Sequence, residues 1–201
     1  MDWNTKTIET YDSSATALAE YFKGAGVRTK DIELALNLAG ATSEARVIEI
    51  GCGDGRDAAE IVKRTKWYEG FDPSEGLLQI ARNRLPQASF VRADALTYNY
   101  PNDLDVIYAF ASLLHVNQGG LTAVFKKASQ ALRKGGIFYI SLKERNIYTE
   151  EAKKDEYGER MFYYYNVALI QALAGRAFLT AYEVHYKMGK TEWLSIALKK
   201  N

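Results

Sequence analysis

The chain has 201 residues, 47% hydrophobic and 25% charged, which suits one domain around one sizeable core. Twenty-six Lys and Arg against 25 Asp and Glu leave a net charge of +1, so no bulk electrostatic attraction to nucleic acid or an anionic membrane is expected. One Cys and two His exclude an internal disulfide and a zinc cluster. No apolar run approaches the roughly 20 residues of a membrane span. Met1-Asp2-Trp3-Asn4 lacks the basic-then-apolar order of a secretion signal, so a cytoplasmic location is the expectation. The unusual number is aromatic: 14 Tyr and 8 Phe, with eight of the tyrosines at or after Tyr139.

Residues 12–23 read as a helix capped by Asp12 or Ser13, with Ala15, Leu18 and Phe22 on one face and Gly24 as its stop. Residues 29–39 repeat the pattern, with Thr29 as cap and Gly40 after the last turn. Val47 to Ile50 is a short β-rich run ended by Gly51-Cys-Gly-Asp-Gly55, and Arg56 to Thr65 is helix-like. Strand and helix then alternate. Trp67–Phe71 is a strand, and Pro73 suits the first turn of a helix over about 74–85. Ser89–Arg92 and Leu104–Phe110 are strands, residues 120–133 a helix ended by Gly135-Gly136, and Ile137–Leu142 a strand. Residues 143–160 are polar without a clean period and read as a loop or lid. Asn166–Ala174 reads as a helix, and Ala181–Lys187 and Trp193–Leu198 as a closing hairpin that adds an antiparallel edge. Alternating β and α predicts an α/β domain with a mostly parallel sheet.

A glycine loop between the first strand and its helix brings backbone amides close to a ligand at the carboxyl edge of such a sheet. The Gly-x4-Gly-Lys-Ser/Thr pattern of a P-loop is absent. A dinucleotide fingerprint, Gly-x-Gly-x-x-Gly, fits Gly51 and Gly53 but meets Arg at 56, which argues against a nicotinamide oxidoreductase. Asp72 ends the second strand 21 positions after Gly51, the spacing at which a carboxylate accepts from ribose hydroxyls. Asp94, after the third strand, either caps the next turn or accepts from an adenine amino group.

Val47-Ile-Glu-Ile-Gly-Cys-Gly-Asp-Gly-Arg-Asp57 resembles motif I of the class I S-adenosylmethionine-dependent methyltransferases. The resemblance continues in order through Gly70-Phe-Asp-Pro-Ser74, Val91-Arg-Ala-Asp-Ala95, Leu104-Asp-Val-Ile-Tyr108 and Leu132-Arg-Lys-Gly-Gly-Ile137, covering about residues 45–142. It implies a Rossmann-like seven-stranded sheet with an antiparallel last strand, helices on both faces and an N-terminal helical lid. It divides the single expected domain into an N-terminal helical segment (1–44), a cofactor core (45–142) and a C-terminal lid, helix and hairpin (143–201). Carried over by position, Glu49, Gly51, Cys52 and Gly53 would line the methionine end of S-adenosylmethionine. Asp72 would hold the ribose, Asp94 and the Ala95 amide the adenine, Leu77 would pack on the ring, and Phe110 would lie near the cofactor backbone. The Cys52 thiol reads as a small core side chain rather than a nucleophile, since no base-plus-orienter set accompanies it. The implied activity is methyl transfer to O or N of a small molecule. A cofactor-binding protein without catalysis is the alternative. No metal is implied.

The chain lacks the Asn/Asp-Pro-Pro-Tyr/Phe block of many amino-methyltransferases; that place reads Ala109-Phe-Ala-Ser-Leu-Leu-His-Val116. A small-molecule acceptor is therefore favoured over nucleic acid. His115 is the candidate base, well tuned for neutral pH, or else a capping or packing residue. His185 reads as structural or surface. Tyr11 is a candidate lid contact on the cofactor, or part of a hydrophobic staple. Arg160 with Tyr163 is a candidate receptor for a planar or carboxylate-bearing substrate. The Phe-Tyr-Tyr-Tyr run also fits a strand with one buried face. Lys153 and Lys154 read as a solvated face.

Overall fold

The structure is a computed structural model that describes residues 3–201; Met1 and Asp2, cited above for the N-terminal stretch, lie outside the described residues. The chain runs α1 (Trp3–Ser13), α2 (Ala15–Lys23), α3 (Thr29–Ala39), β1 (Arg46–Ile50), α4 (Ala58–Ile61), β2 (Trp67–Asp72), α5 (Glu75–Arg84), β3 (Ser89–Arg92) and β4 (Leu104–Phe110). It continues through α6 (Gln118–Ala131), β5 (Leu132–Lys143), β6 (Thr149–Asp155), β7 (Gly158–Tyr164), α7 (Val167–Ala174), β8 (Phe178–Met188) and β9 (Thr191–Lys200). Seven strands form one sheet in the order β3-β2-β1-β4-β5-β9-β8, and β6 pairs with β7 in a separate hairpin. The pairs among β1 to β5 are parallel, while β9 runs antiparallel to both neighbours.

Strand periodicity explains the two layers. Val106, Tyr108 and Phe110 of β4 pack on one side with Ile32 and Ala35 of α3. Ile107 and Ala109 pack on the other with Val124 and Phe125 of α6. The same alternation in β5 sends Ile137 and Tyr139 one way and Phe138, Ile140 and Leu142 the other. Continuous apolar runs in β1, β4 and β5 are thus what a sheet covered on both faces requires.

Several expectations need correction. Residues 143–160 are no open loop: Lys143 closes β5, and the charged stretch after it is the β6–β7 hairpin, whose register pairs Lys153 with Arg160. The strand signal is hidden because β6 carries adjacent charges, Glu150-Glu151 and Lys153-Lys154, on both its faces, while β7 is buried on both from Arg160 to Tyr164. The first helix starts at Trp3 and breaks at Ser14, so Asp12 and Ser13 do not cap it. Asp12 instead reaches α5, where its Oδ1 accepts from Ser74 Oγ at 3.0 Å and the Gly76 amide at 2.7 Å. Thr29 is the first helical residue, after an Arg28 N-cap that makes no side-chain cap bond. Only Ala58–Ile61 of the 56–65 stretch is regular helix. Pro73 precedes the Ser74 N-cap rather than entering the first turn. Residues 120–133 form helix only to Ala131, ahead of Gly135-Gly136. The closing hairpin does add the antiparallel edge expected of it, with β9 inserted beside β5 and β8 outermost.

Candidate active site

A cavity of about 810 Å³ opens at the carboxyl ends of β1, β2, β4 and β5, within the roughly 300–1,000 Å³ typical of small-ligand sites. The glycine loop forms one wall. Gly51 has φ +68° and its missing Cβ leaves room for Ser112, whose own Cβ would lie 2.3 Å away. The Gly51 and Cys52 amides both donate to the Phe71 carbonyl, at 2.8 and 3.1 Å, which fixes the loop to β2. Gly53 has φ +55°, and a Cβ there would meet nothing within 4 Å; its backbone faces the open cavity. Its amide donates to Asp72 Oδ2 at 3.0 Å, while the Ser74 amide donates to Oδ1 at 2.9 Å.

Asp72 is buried, and burial pushes its carboxyl up to about 6 against those two backbone donors. Glu49, on β1, accepts from Tyr68 Oη at 2.6 Å. Its burial, reinforced by the charge of Asp57, pushes it up to about 8. Cys52 lines the wall but is buried, and burial holds its thiol well above the usual range, so it is a neutral packing group. Leu77 and Ala95 are buried cavity residues, and Phe110 stacks on Tyr108 at the end of β4. Asp94 lines the cavity, and its Oδ1 accepts from the Leu96 amide at 2.8 Å, the turn-capping role. After Phe110, Ala111 takes φ +52°, a conformation that costs a side chain roughly 1–2 kcal/mol. It turns the backbone across the cavity floor, where the Ala111 amide donates to Ser141 Oγ at 3.0 Å.

Sequence reasoning missed Arg28. It lies between α2 and α3, in no motif, and its guanidinium sits 5.2 Å from the Phe110 ring. Arg28 Nη1 donates to Asp57 Oδ2 at 2.7 Å and its amide to Oδ1 at 3.0 Å, tying the N-terminal helices to the glycine loop. Arg28 lines the cavity close enough to lower the Glu49 carboxyl electrostatically.

The opposite end is built by Tyr11, His115, Arg160, Phe162 and Lys143. His115 follows β4 in a 3₁₀ turn, and its Nδ1 lies 2.5 Å from the Met161 carbonyl. A carbonyl only accepts, so Nδ1 carries the proton and Nε2 accepts from Tyr11 Oη at 2.8 Å. Burial, helped by Arg160 and Lys143, drives His115 down to about 3. The expectation of a base tuned near neutrality is thereby corrected: His115 is a neutral acceptor with its lone pair engaged. Arg160 Nη1 donates to Tyr11 Oη at 3.4 Å, and Nη2 pairs with Asp155. Tyr163 does not join Arg160 at the cavity. It is one residue out of phase on β7 and stacks on Tyr148, with ring centroids 6.4 Å apart. Tyr165 likewise turns away, donating to the Val116 carbonyl at 2.6 Å. His185 is exposed on β8, beside Glu144.

The roof joins the first helix to the β6–β7 hairpin. Thr7 Oγ1 accepts from the Met161 amide at 3.1 Å, Thr10 Oγ1 donates to the Glu159 carbonyl at 2.8 Å, and Ser14 Oγ donates to the Tyr157 carbonyl at 2.7 Å. Helix α1 is thereby docked along β7. Among the described residues no helix is long and apolar enough to cross a membrane.

Residues 47–136 match the family of methyltransferase domains. The chain is 31% identical over 146 residues to a trans-aconitate 2-methyltransferase of Variovorax paradoxus, covering 71% of this chain and 50% of that protein. It is 28% identical over 130 residues to the one of Rhizobium rhizogenes, covering 64% and 50%. The chain thus spans about half the length of these relatives. Its fold is similar to magnesium protoporphyrin IX methyltransferase of Synechocystis solved with bound S-adenosylmethionine, with TM-score 0.76 and 14% identity over 100% of this chain and 98% of that one. It is also similar to an S-adenosylmethionine-dependent methyltransferase of Clostridium acetobutylicum, with TM-score 0.74 and 15% identity over 92% and 98%. Residues 47–136 are thus a methyltransferase domain, and the chain has the fold of the S-adenosylmethionine-dependent methyltransferases it resembles.

Proposed function

We propose that the protein binds S-adenosylmethionine at the glycine-loop end and transfers its methyl group to O or N of a small molecule at the Tyr11–Arg160 end. The observation that carries the reading is the Gly53–Asp72 clasp: an open backbone segment and a buried carboxylate on one cavity wall. The donor set suits the cofactor piece by piece. Arg28 and Glu49 offer a cation and a carboxylate to an amino-acid end, Asp72 accepts from ribose hydroxyls, and Asp94 accepts from the adenine amino group. Leu77 offers an apolar face to the ring. When bound, the cofactor supplies an electrophilic methyl on a sulfonium centre.

The chain's own work is positioning and exclusion of water. Alignment alone supplies up to roughly 7–11 kcal/mol of a barrier in favourable cases, so a strong base is not required. That suits a site whose one histidine is neutral and already hydrogen-bonded. Helix α1 and the β6–β7 hairpin roof the cavity as the lid. In this reading residues 1–44 and 143–201 wall the acceptor, residues 45–142 hold the cofactor, and the protein works in the cytoplasm. Melting curves test the proposal: S-adenosylmethionine and S-adenosylhomocysteine raise Tm, and NADH does not. Flat curves with the first two ligands, or protection by NADH alone, would overturn it.

A further inference from the structure

At the acceptor end the charges do not balance. Lys143 lines the cavity with its ammonium 3.7 Å from the centroid of the Phe162 ring, and that ammonium makes no hydrogen bond or ion pair among the described residues. The carboxylates nearby are taken. Asp155 pairs with Arg160, and Glu151 pairs with Arg145 at 2.6 Å and Lys153 at 3.4 Å. On this stretch of the wall Lys143, Lys153 and Arg160 stand against Asp155 and Glu156, three cations to two carboxylates. Arg160 is under-satisfied too. It is 7% exposed, its buried Nε has no partner, and Nη1 has only the 3.4 Å bond to Tyr11. Buried donors are normally paired, and a guanidinium offers five of them.

Resting on the methyltransferase reading above, we infer that Lys143 and Arg160 anchor a carboxylate of the acceptor, which is therefore an organic acid whose flat or apolar body lies against Tyr11 and Phe162. One uncompensated positive charge matches a carboxylate better than a phosphate dianion. The aromatic rings around Arg160, Tyr11 at 5.3 Å and Phe162 at 5.6 Å from its Cζ, leave apolar surface for the rest of the molecule. Cationic acceptors are repelled by the same cluster. Lys143 is held down to about 8 by burial and by Lys153 and Arg160; a bound carboxylate supplies the missing counter-charge.

The test is calorimetric titration of S-adenosylhomocysteine-saturated protein with benzoate, succinate, benzamide and inorganic phosphate. Benzoate or succinate is expected to bind, and benzamide at least about tenfold more weakly than benzoate. Lys143→Met is expected to weaken the carboxylate by about tenfold and Lys143→Arg to restore most of the loss, with S-adenosylhomocysteine affinity unchanged in both. Unchanged S-adenosylhomocysteine affinity also shows that the variants are folded. Four results overturn the inference: no carboxylate bound to the loaded protein, equal binding of benzoate and benzamide, phosphate binding without carboxylate binding, or Lys143→Met without effect. Failure of S-adenosylhomocysteine itself to bind would instead sink the methyltransferase reading.

Discussion

The two ends of the cavity are built in opposite ways. The glycine-loop end is local: Gly53 and Asp72 are 19 residues apart, and Asp72 reaches Ser74 two residues on. Its donors are largely backbone amides fixed by sheet register and by glycine geometry. The acceptor end is assembled from distant side chains: Tyr11 to His115 spans 104 residues and Tyr11 to Arg160 spans 149. A ligand common to many proteins can be held by backbone that any sequence of the right pattern supplies. A ligand particular to one protein needs side chains, and these come from the segments outside the shared core.

Substitutions can break this division, and the largest effect is expected in the loop. Gly51→Ala forces a Cβ to 2.3 Å from that of Ser112 at positive φ, and should cost about 2–4 kcal/mol in denaturant unfolding. Gly53→Ala, with open space at its Cβ, should cost only about 1 kcal/mol; equal costs would refute the packing account of Gly51. Next, Asp72→Asn removes the charge that accepts from the Gly53 amide and, by the proposal, from ribose. S-adenosylhomocysteine affinity should fall about 10–100-fold. Tyr11→Phe leaves His115 Nε2 and Arg160 Nη1 without their partner. It should lower kcat/KM for the acceptor by about tenfold and change S-adenosylhomocysteine affinity less; the reverse pattern would place Tyr11 with the cofactor.

The smallest effect is in protons. Glu49, raised from 4.5 to about 8 in the folded chain, holds a proton that the unfolded chain releases above its ordinary value. Its contribution to stability is therefore present below pH 4.5 and is lost as pH rises through about 8. Thermal melts from pH 5 to 9 should flatten in Glu49→Gln, whose side chain stays neutral. If an amino-acid ammonium docks beside Glu49, ligand binding at pH 7 should release up to about one proton, seen as buffer-dependent heats; buffer-independent heats would remove Glu49 from the cofactor site.

The same division explains what the sequence could reveal. The short apolar runs of β1, β4 and β5, the Gly51–Gly55 turn and the spacing to Asp72 and Asp94 are short-range signals, and the fold and the glycine-loop wall of the cavity were legible from them. Tyr11 and Arg160 were visible as candidates only because they lie outside that core. Their meeting through His115 depends on α1 docking along β7, a contact across most of the chain that no local pattern encodes. Arg28 carries no signal at all. Tyr163 was misplaced because a strand sends residues three apart to opposite faces, and the strand visible in the Phe-Tyr-Tyr-Tyr run was not extended back to Arg160, where the phase is set. Lys143 looked like the start of a polar loop; only the sheet shows it as the end of β5, aimed into the cavity.

One titration tests the division most directly: S-adenosylhomocysteine into the wild type, Asp72→Asn and Lys143→Met at pH 7. The account predicts one site in the wild type, affinity lower by about 10–100-fold in Asp72→Asn and unchanged in Lys143→Met. No binding by the wild type, or a loss in Lys143→Met as large as in Asp72→Asn, would contradict it.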